Sequence, residues 1–231
     1  VIGIVIPAHD EASLVGACIE AALAAARHGG LYGESVEIVV VLDACSDGTA
    51  EIVARHPVAS LSLALRNVGA ARAAGAQQLL ARGARWLAFT DADSRVADDW
   101  LVQQLRLQAD VVCGTVAVDD WSDHPRHALL LEQHFRRTYT DADGHRHIHG
   151  ANLGVSAQAY QSVGGFLPRA SSEDVALVQA LQQAGARIAW SAAPRVVTSA
   201  RRVARAPAGF AAALCSAVDA MRLPVPVLAA G

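Results

Sequence analysis

Val1 to Pro7 is a continuous apolar run rich in Val and Ile, the pattern of a strand buried on both faces. Glu11 to His28 follows with Leu14, Val15, Cys18, Ile19 and Ala22 on one helical face. The alternation then repeats. Val36 to Leu42 is a second buried strand, and a short helix capped by Ser46 or Asp47 ends before Pro57. Ser60 to Leu65 alternates like a strand, Ala70 to Ala81 is an alanine-rich helix, and Trp86 to Thr90 is a fourth strand. Strands alternating with helices predict an α/β chain with a parallel sheet, and right-handed crossovers make it doubly wound.

Beyond Asp93 the pattern changes. Val111 to Val118 reads as a strand and His124 to Tyr139 as a helix with the apolar cluster Leu129, Leu130, Leu131 and Phe135. Asp141 to Gly150 is rich in turn residues and reads as a loop. Ala151 to Ser156 follows, then helices near Ala157 to Val163 and Glu173 to Gln183. No repeat or low-complexity linker divides the chain. A single domain is expected, in two halves over 1–93 and 94–205 followed by a helix and tail over 206–231.

Composition removes several classes of function. A formal net charge of −3 gives no basic field for nucleic acid. All nineteen basic residues are arginine, so neither a P-loop lysine nor a Schiff-base lysine is available. No Gly-x-Gly-x-x-Gly follows the first strand, so the dinucleotide fingerprint is missing. Cys18, Cys45, Cys113 and Cys215 lack paired spacing, which suits free thiols in a reducing, cytoplasmic setting. No secretory leader is expected, and the first apolar run is too short to span a bilayer. The apolar segment from Phe210 to Leu228 is interrupted by Asp219, Arg222 and two prolines. It reads as no transmembrane helix, with peripheral membrane contact left open.

In an open parallel sheet, ligands bind at the carboxyl ends of the strands. The polar signals stand there: His9, Asp10 and Glu11 after the first strand, Asp43 after the second, Asn67 after the third, Asp91 and Asp93 after the fourth. The last two are hard oxygen donors one residue apart, a pairing that suits Mg²⁺ or Mn²⁺ bridged to a diphosphate. The alternative is that Asp93 or Ser94 caps the next helix. Glu173 and Asp174 open a predicted helix, where acids also compensate the helix dipole. A carboxylate there is placed to take the proton of an attacking hydroxyl.

These segments, in order and spacing, resemble the inverting family 2 glycosyltransferases of GT-A fold. The matching segments are Pro7-Ala8-His9-Asp10-Glu11, Asp43-x-x-Ser46-Asp47-Gly48-Thr49, Asn67-x-Gly69-x-x-Arg72 and Thr90-Asp91-Ala92-Asp93, then Gly150-Ala151-Asn152, Gly164-Gly165-Phe166 and Glu173-Asp174. The resemblance implies transfer of a sugar from a UDP-, GDP- or dTDP-sugar, with inversion and with Mn²⁺ or Mg²⁺. Pro7, His9, Glu11 and Asp43 would hold the nucleoside, Asp43 by accepting a hydrogen bond from the base rather than by supporting the fold. Asn67, Gly69 and Arg72 would lie beneath the donor phosphates, Asp91 would face the ribose, and Asp93, with Asp91, would bind the metal. Asp174 would be the general base and Glu173 an orienting or acceptor-binding group. Asn152, Arg201 and Arg202 are candidates for the acceptor or diphosphate.

The donor sugar and the acceptor, a lipid-linked one included, stay open, because specificity lies in loops such as Trp121 to Gly150. The Gln-x-x-Arg-Trp segment of processive members is missing. A retaining GT-A enzyme, a sugar-phosphate nucleotidylyltransferase and a catalytically inactive binding protein are the alternatives. The three histidines His145, His147 and His149 raise a zinc site, but no acid or cysteine partner has zinc-site spacing nearby.

Overall fold

Side chains on the first strand divide cleanly between two faces. Ile2, Ile4 and Ile6 enter one apolar cluster and Val5 the other, as the two-residue strand period requires. The computed structural model describes residues 1–201. The first half comprises β1 (Ile2–Ala8), α1 (Val15–Ala26), β2 (Val36–Asp43), α2 (Thr49–Val53), β3 (Ala59–Leu63), α3 (Val68–Ala81) and β4 (Trp86–Phe89). The second comprises β5 (Ser94–Val96), α4 (Trp100–Arg106), β6 (Val111–Gly114), α5 (Ala128–Thr138), β7 (Leu153–Ser156), α6 (Ala157–Ser162), α7 (Glu173–Gln183), β8 (Ile188–Ser191) and β9 (Val196–Thr198).

A seven-stranded sheet runs in the order β3-β2-β1-β4-β7-β6-β8, and β5 pairs with β9 in a separate ribbon. β1 is parallel to β2 and β4, and β2 to β3. β7 is antiparallel to both neighbours, β4 and β6. β6 and β8 are parallel. The mainly parallel, doubly wound expectation holds, with β7 the reversed strand. α1 and α4 cover one face, where Ile19, Trp100 and Leu101 pack on β1 and β4. α3 and α7 cover the other, where Leu79, Leu177 and Leu181 pack on Val5, Leu87 and Phe89. The strand order reverses between β1 and β4, which places a ligand crevice at their carboxyl ends.

Three expectations and one alternative need correction. The helix after β2 begins at Thr49 with Gly48 at its N-cap, because the Asp47 carboxylate bonds sideways to Ala12 N as well as to Thr49. Ser94 opens a strand rather than a helix, so neither it nor Asp93 is a helix cap. The sixth strand stops at Gly114, before Val118. On α5, Leu131 is buried while Leu129 and Leu130 are 65% and 52% exposed. Successive helical residues turn by about 100°, so three in a row do not share one face. Arg202, Cys215 and the expected helix and tail over 206–231 lie outside the described residues. Among the described residues, no helix is long and apolar enough to cross a membrane.

Candidate active site

The loops after β1 and β2 are laced together by carboxylates. Asp10 accepts from the backbone N–H groups of Ser46 (2.6 Å) and Asp47 (3.3 Å). Asp47 returns the contact to Ala12 N at 3.0 Å and also accepts from Thr49 N at 3.0 Å. The Thr49 hydroxyl in turn accepts from Glu11 N at 2.8 Å. This is the local reason for the Asp-x-x-Ser-Asp-Gly-Thr spacing. Backbone with positive φ outside glycine gathers at these turns, at Asp10, Ala44 and Arg66, and again at Ser172 before α7. Such strain persists where surrounding bonds over-determine it.

Asp43 is buried, and its carboxylate accepts three backbone hydrogen bonds. Leu65 N and Arg66 N reach Oδ1 at 2.7 and 3.0 Å, and Asn67 N reaches Oδ2 at 2.6 Å. It therefore supports the fold, which corrects the expectation of a purely base-reading role. His9 joins the same edge, with Nδ1 2.7 Å from Asp43 O. Pro7 lies within β1, half-buried. The Asn67 side chain caps α3, accepting from Ala70 N at 2.9 Å.

The two acid pairs meet across the crevice through arginine. Arg72 on α3 is 3% exposed. One Nη donates to Asp91 Oδ1 beyond β4 and the other to Glu173 Oε1 at the start of α7. Its guanidinium lies 5.8 Å over the Phe166 ring. Both terminal nitrogens are occupied by carboxylates, so Arg72 clamps two acids together. Gly150 makes room for it: a Cβ at that position would come within 2.2 Å of Arg72 Nη2. Gly69 likewise admits the 167–169 loop, and its N–H donates to Arg169 O at 3.0 Å.

Arg201 forms a second clamp. It pairs with Glu11 Oε1, and its Nη2 lies 2.8 Å from Asp93 Oδ2. Asp93 also accepts from the hydroxyls of Ser199 at 2.9 Å and Ser94 at 3.2 Å. Burial raises the Asp93 carboxyl above the ordinary range, Arg201 opposes that rise, and the nearby Asp91 adds to it. Ser199 carried no signal in the sequence, because its partner is brought to it by the β5–β9 ribbon.

Asp174 is partly buried and accepts from Gly150 N at 2.8 Å through Oδ2 and from Val175 N at 2.8 Å through Oδ1. Compensation of the helix terminus is thus part of its role, while Glu173 and Asp174 both reach partners outside α7. Asn152 is fully buried. Its Oδ1 accepts from Trp100 Nε1 at 2.8 Å, and its Nδ2 donates to Thr115 O and Pro194 O. It braces the second half from inside, which corrects its expected place on the acceptor or diphosphate.

The loop before Gly150 is ordered by rings. Tyr139 stacks on Phe135 at 4.6 Å and on His147 at 4.1 Å, so both of its faces are covered. His145 and His147 stack at 5.5 Å, because alternate residues of an extended segment share a side. Among the described residues, no group of three or more His, Cys, Asp or Glu is arranged to hold a metal. His149 is depressed to about 4 by burial and by His147, against the pull of Asp174 and Asp91, so it is neutral at pH 7.

A mainly parallel sheet with acids gathered at its switch point defines a GT-A type protein. The chain belongs to glycosyl transferase family 2, whose sequence profile matches residues 3–164. It is 36% identical over 118 residues to the succinoglycan biosynthesis protein ExoO of Rhizobium meliloti (strain 1021), covering 50% of this chain and 32% of that protein. Among solved structures, S. aureus TarS 1-349 in complex with UDP-GlcNAc superposes with a TM-score of 0.63 at 14% identity, covering 90% of this chain and 61% of that one. The mannosyltransferase PcManGT from Pyrobaculum calidifontis, in complex with GDP-Man and Mn²⁺, gives a TM-score of 0.58 at 20% identity, covering 85% and 56%. The chain spans about a third of the curated relative and about three fifths of these structures.

Proposed function

We propose that the protein transfers a sugar from a nucleoside-diphosphate sugar to an acceptor hydroxyl with inversion, using Asp174 as general base. The observation that carries this is the meeting of the Asp91/Asp93 and Glu173/Asp174 pairs through Arg72, at the switch point of a family 2 chain. The mechanism needs a carboxylate at the acceptor hydroxyl, on the face of the sugar opposite the departing diphosphate. Asp174 is held by a single backbone N–H from across the crevice, with its other oxygen at the helix terminus. Glu173 orients through Arg72.

The nucleoside is assigned to Pro7, His9, Glu11 and the pocket edge that Asp43 builds. A carboxylate has about four acceptor sites, and three are in use on Asp43, which leaves one for a base N–H. Asp91 faces the ribose. Asn67 and Gly69 line the phosphates, and Arg201 transfers its charge from Asp93 to the diphosphate.

Asp93 and Asp91 are the residues that would hold Mn²⁺ or Mg²⁺. The donor set fits: two carboxylates one residue apart beyond β4 are hard oxygen ligands of the kind that hold Mg²⁺-type ions when substrate phosphates complete the shell. When bound, the ion offsets the charge of the departing diphosphate as a Lewis acid. The acceptor is assigned to the side bounded by segment 121–150, where a lipid-linked hydroxyl is one candidate.

The test is release of nucleoside diphosphate from UDP-, GDP- and dTDP-sugars, with the anomeric configuration of the product read by NMR. Inversion with one preferred donor is expected. A retained anomeric configuration removes the need for this base and sinks the reading.

A further inference from the structure

A tyrosine and a histidine, both half-buried, stand behind the Gly150 amide that holds Asp174, and neither is placed in the donor site. Tyr139 follows α5, inside the long connection between β6 and β7. Its hydroxyl accepts from Val116 N at 2.8 Å and lies 2.9 Å from His149 Nε2. Val116 N–H occupies one lone pair of the hydroxyl, and the oxygen still pairs with His149 Nε2, donating to it when the imidazole proton sits on Nδ1. The next residue is Gly150, whose N–H holds Asp174 Oδ2.

Gly150 has little freedom. On one side the Arg72 guanidinium fills the space of a Cβ. On the other the His149 ring is pinned by Tyr139, which is itself wedged between Phe135 and His147. The acid pair of α7 is thus set by two devices, Glu173 by Arg72 and Asp174 by the Gly150 N–H.

We propose that Tyr139 and His149 are positioning residues for the base: their hydrogen bond fixes the Gly150 amide and, through it, the Asp174 carboxylate. The inference rests on Asp174 being the base. A misplacement of about 1 Å costs on the order of 100-fold in rate, so a slackened Gly150 is expected to show in kcat while donor binding stays intact.

The experiment measures donor hydrolysis, with water as acceptor and nucleoside diphosphate as the signal, in Tyr139→Phe, Asp174→Asn and the double variant. Phenylalanine keeps both ring contacts and removes only the hydroxyl. Tyr139→Phe is expected to lower kcat about 10- to 100-fold with donor KM within about twofold. In the Asp174→Asn background the same change is expected to have no further effect, because the group it positions is gone. A second pair guards against a folding defect. His149→Gln, whose amide oxygen accepts the same bond, is expected to keep more activity than His149→Leu. Near-normal turnover of Tyr139→Phe overturns the inference, as does an undiminished effect of Tyr139→Phe on a slow Asp174→Asn enzyme. A fast Asp174→Asn enzyme overturns the base reading and this inference with it.

Discussion

Arg201 Nη2 lies 2.8 Å from Asp93 Oδ2, so the buried acid beyond β4 already has a positive partner without ligand. On the proposed reading, a cation held by Asp93 and Asp91 would take over that neutralisation and free the Arg201 guanidinium for the diphosphate. Nucleoside diphosphate binding is therefore expected to weaken at least about tenfold in EDTA relative to Mn²⁺, and Asp93→Asn is expected to remove the difference. Calorimetry decides this; equal affinity in both buffers counts against the metal assignment.

Loss of Arg72 is expected to destabilise the fold, because it holds Asp91 and the buried Glu173. Removing one partner of a buried ion pair leaves an uncompensated charge, at a cost of about 3–5 kcal/mol. Arg72→Met leaves the Glu173 carboxylate, itself 4% exposed, without its guanidinium. Urea unfolding is expected to show a loss of that size, with a large part regained in the Arg72→Met/Glu173→Gln double variant. A single variant as stable as the parent contradicts the clamp.

Asp43→Ala is expected to act on stability as well as on donor KM. Three backbone N–H groups lose their acceptor, and about 2 kcal/mol is a modest figure for such a loss. At this chain length that corresponds to roughly 4–8 °C in melting temperature. An unchanged melting curve with raised KM restores the purely base-reading role.

His149 makes stability depend on pH. Its ordinary value is 6.5 and burial holds it at about 4 in the fold, so between those values the unfolded chain binds more protons. Stability is then full above about pH 6.5 and falls as pH drops toward 4, by up to about 3 kcal/mol. His149→Gln is expected to flatten that part of the profile, which denaturant titrations from pH 7 to 4.5 measure. An equally steep profile in the variant assigns the loss to other groups.

The first half of the fold was legible because each strand is a short apolar run ended by a polar turn, and β1, β2 and β4 fall where that pattern puts them. The reversed β7 was not, since Leu153–Ser156 reads alike in either direction and its partners, β4 and β6, lie far off in sequence. The acids of the site stood out as residue types at strand and helix ends. Their pairing did not: Arg72 and Glu173 are 101 positions apart, and Arg201 and Glu11 are 190 apart. Asn152 shows the opposite error. Its motif suggested a ligand contact, whereas full burial against Trp100 makes it a brace.

On the proposed reading, Asp174 removes the acceptor proton in a single displacement. Steady-state release of nucleoside diphosphate by Asp174→Asn, against the parent enzyme with the same donor and acceptor, tests it most directly. Loss of a general base costs about 10²–10⁴ in rate, so kcat is expected to fall by that order with donor affinity unchanged. Turnover within about threefold of the parent would contradict the account, since a substitution that leaves the reaction intact has not removed its base.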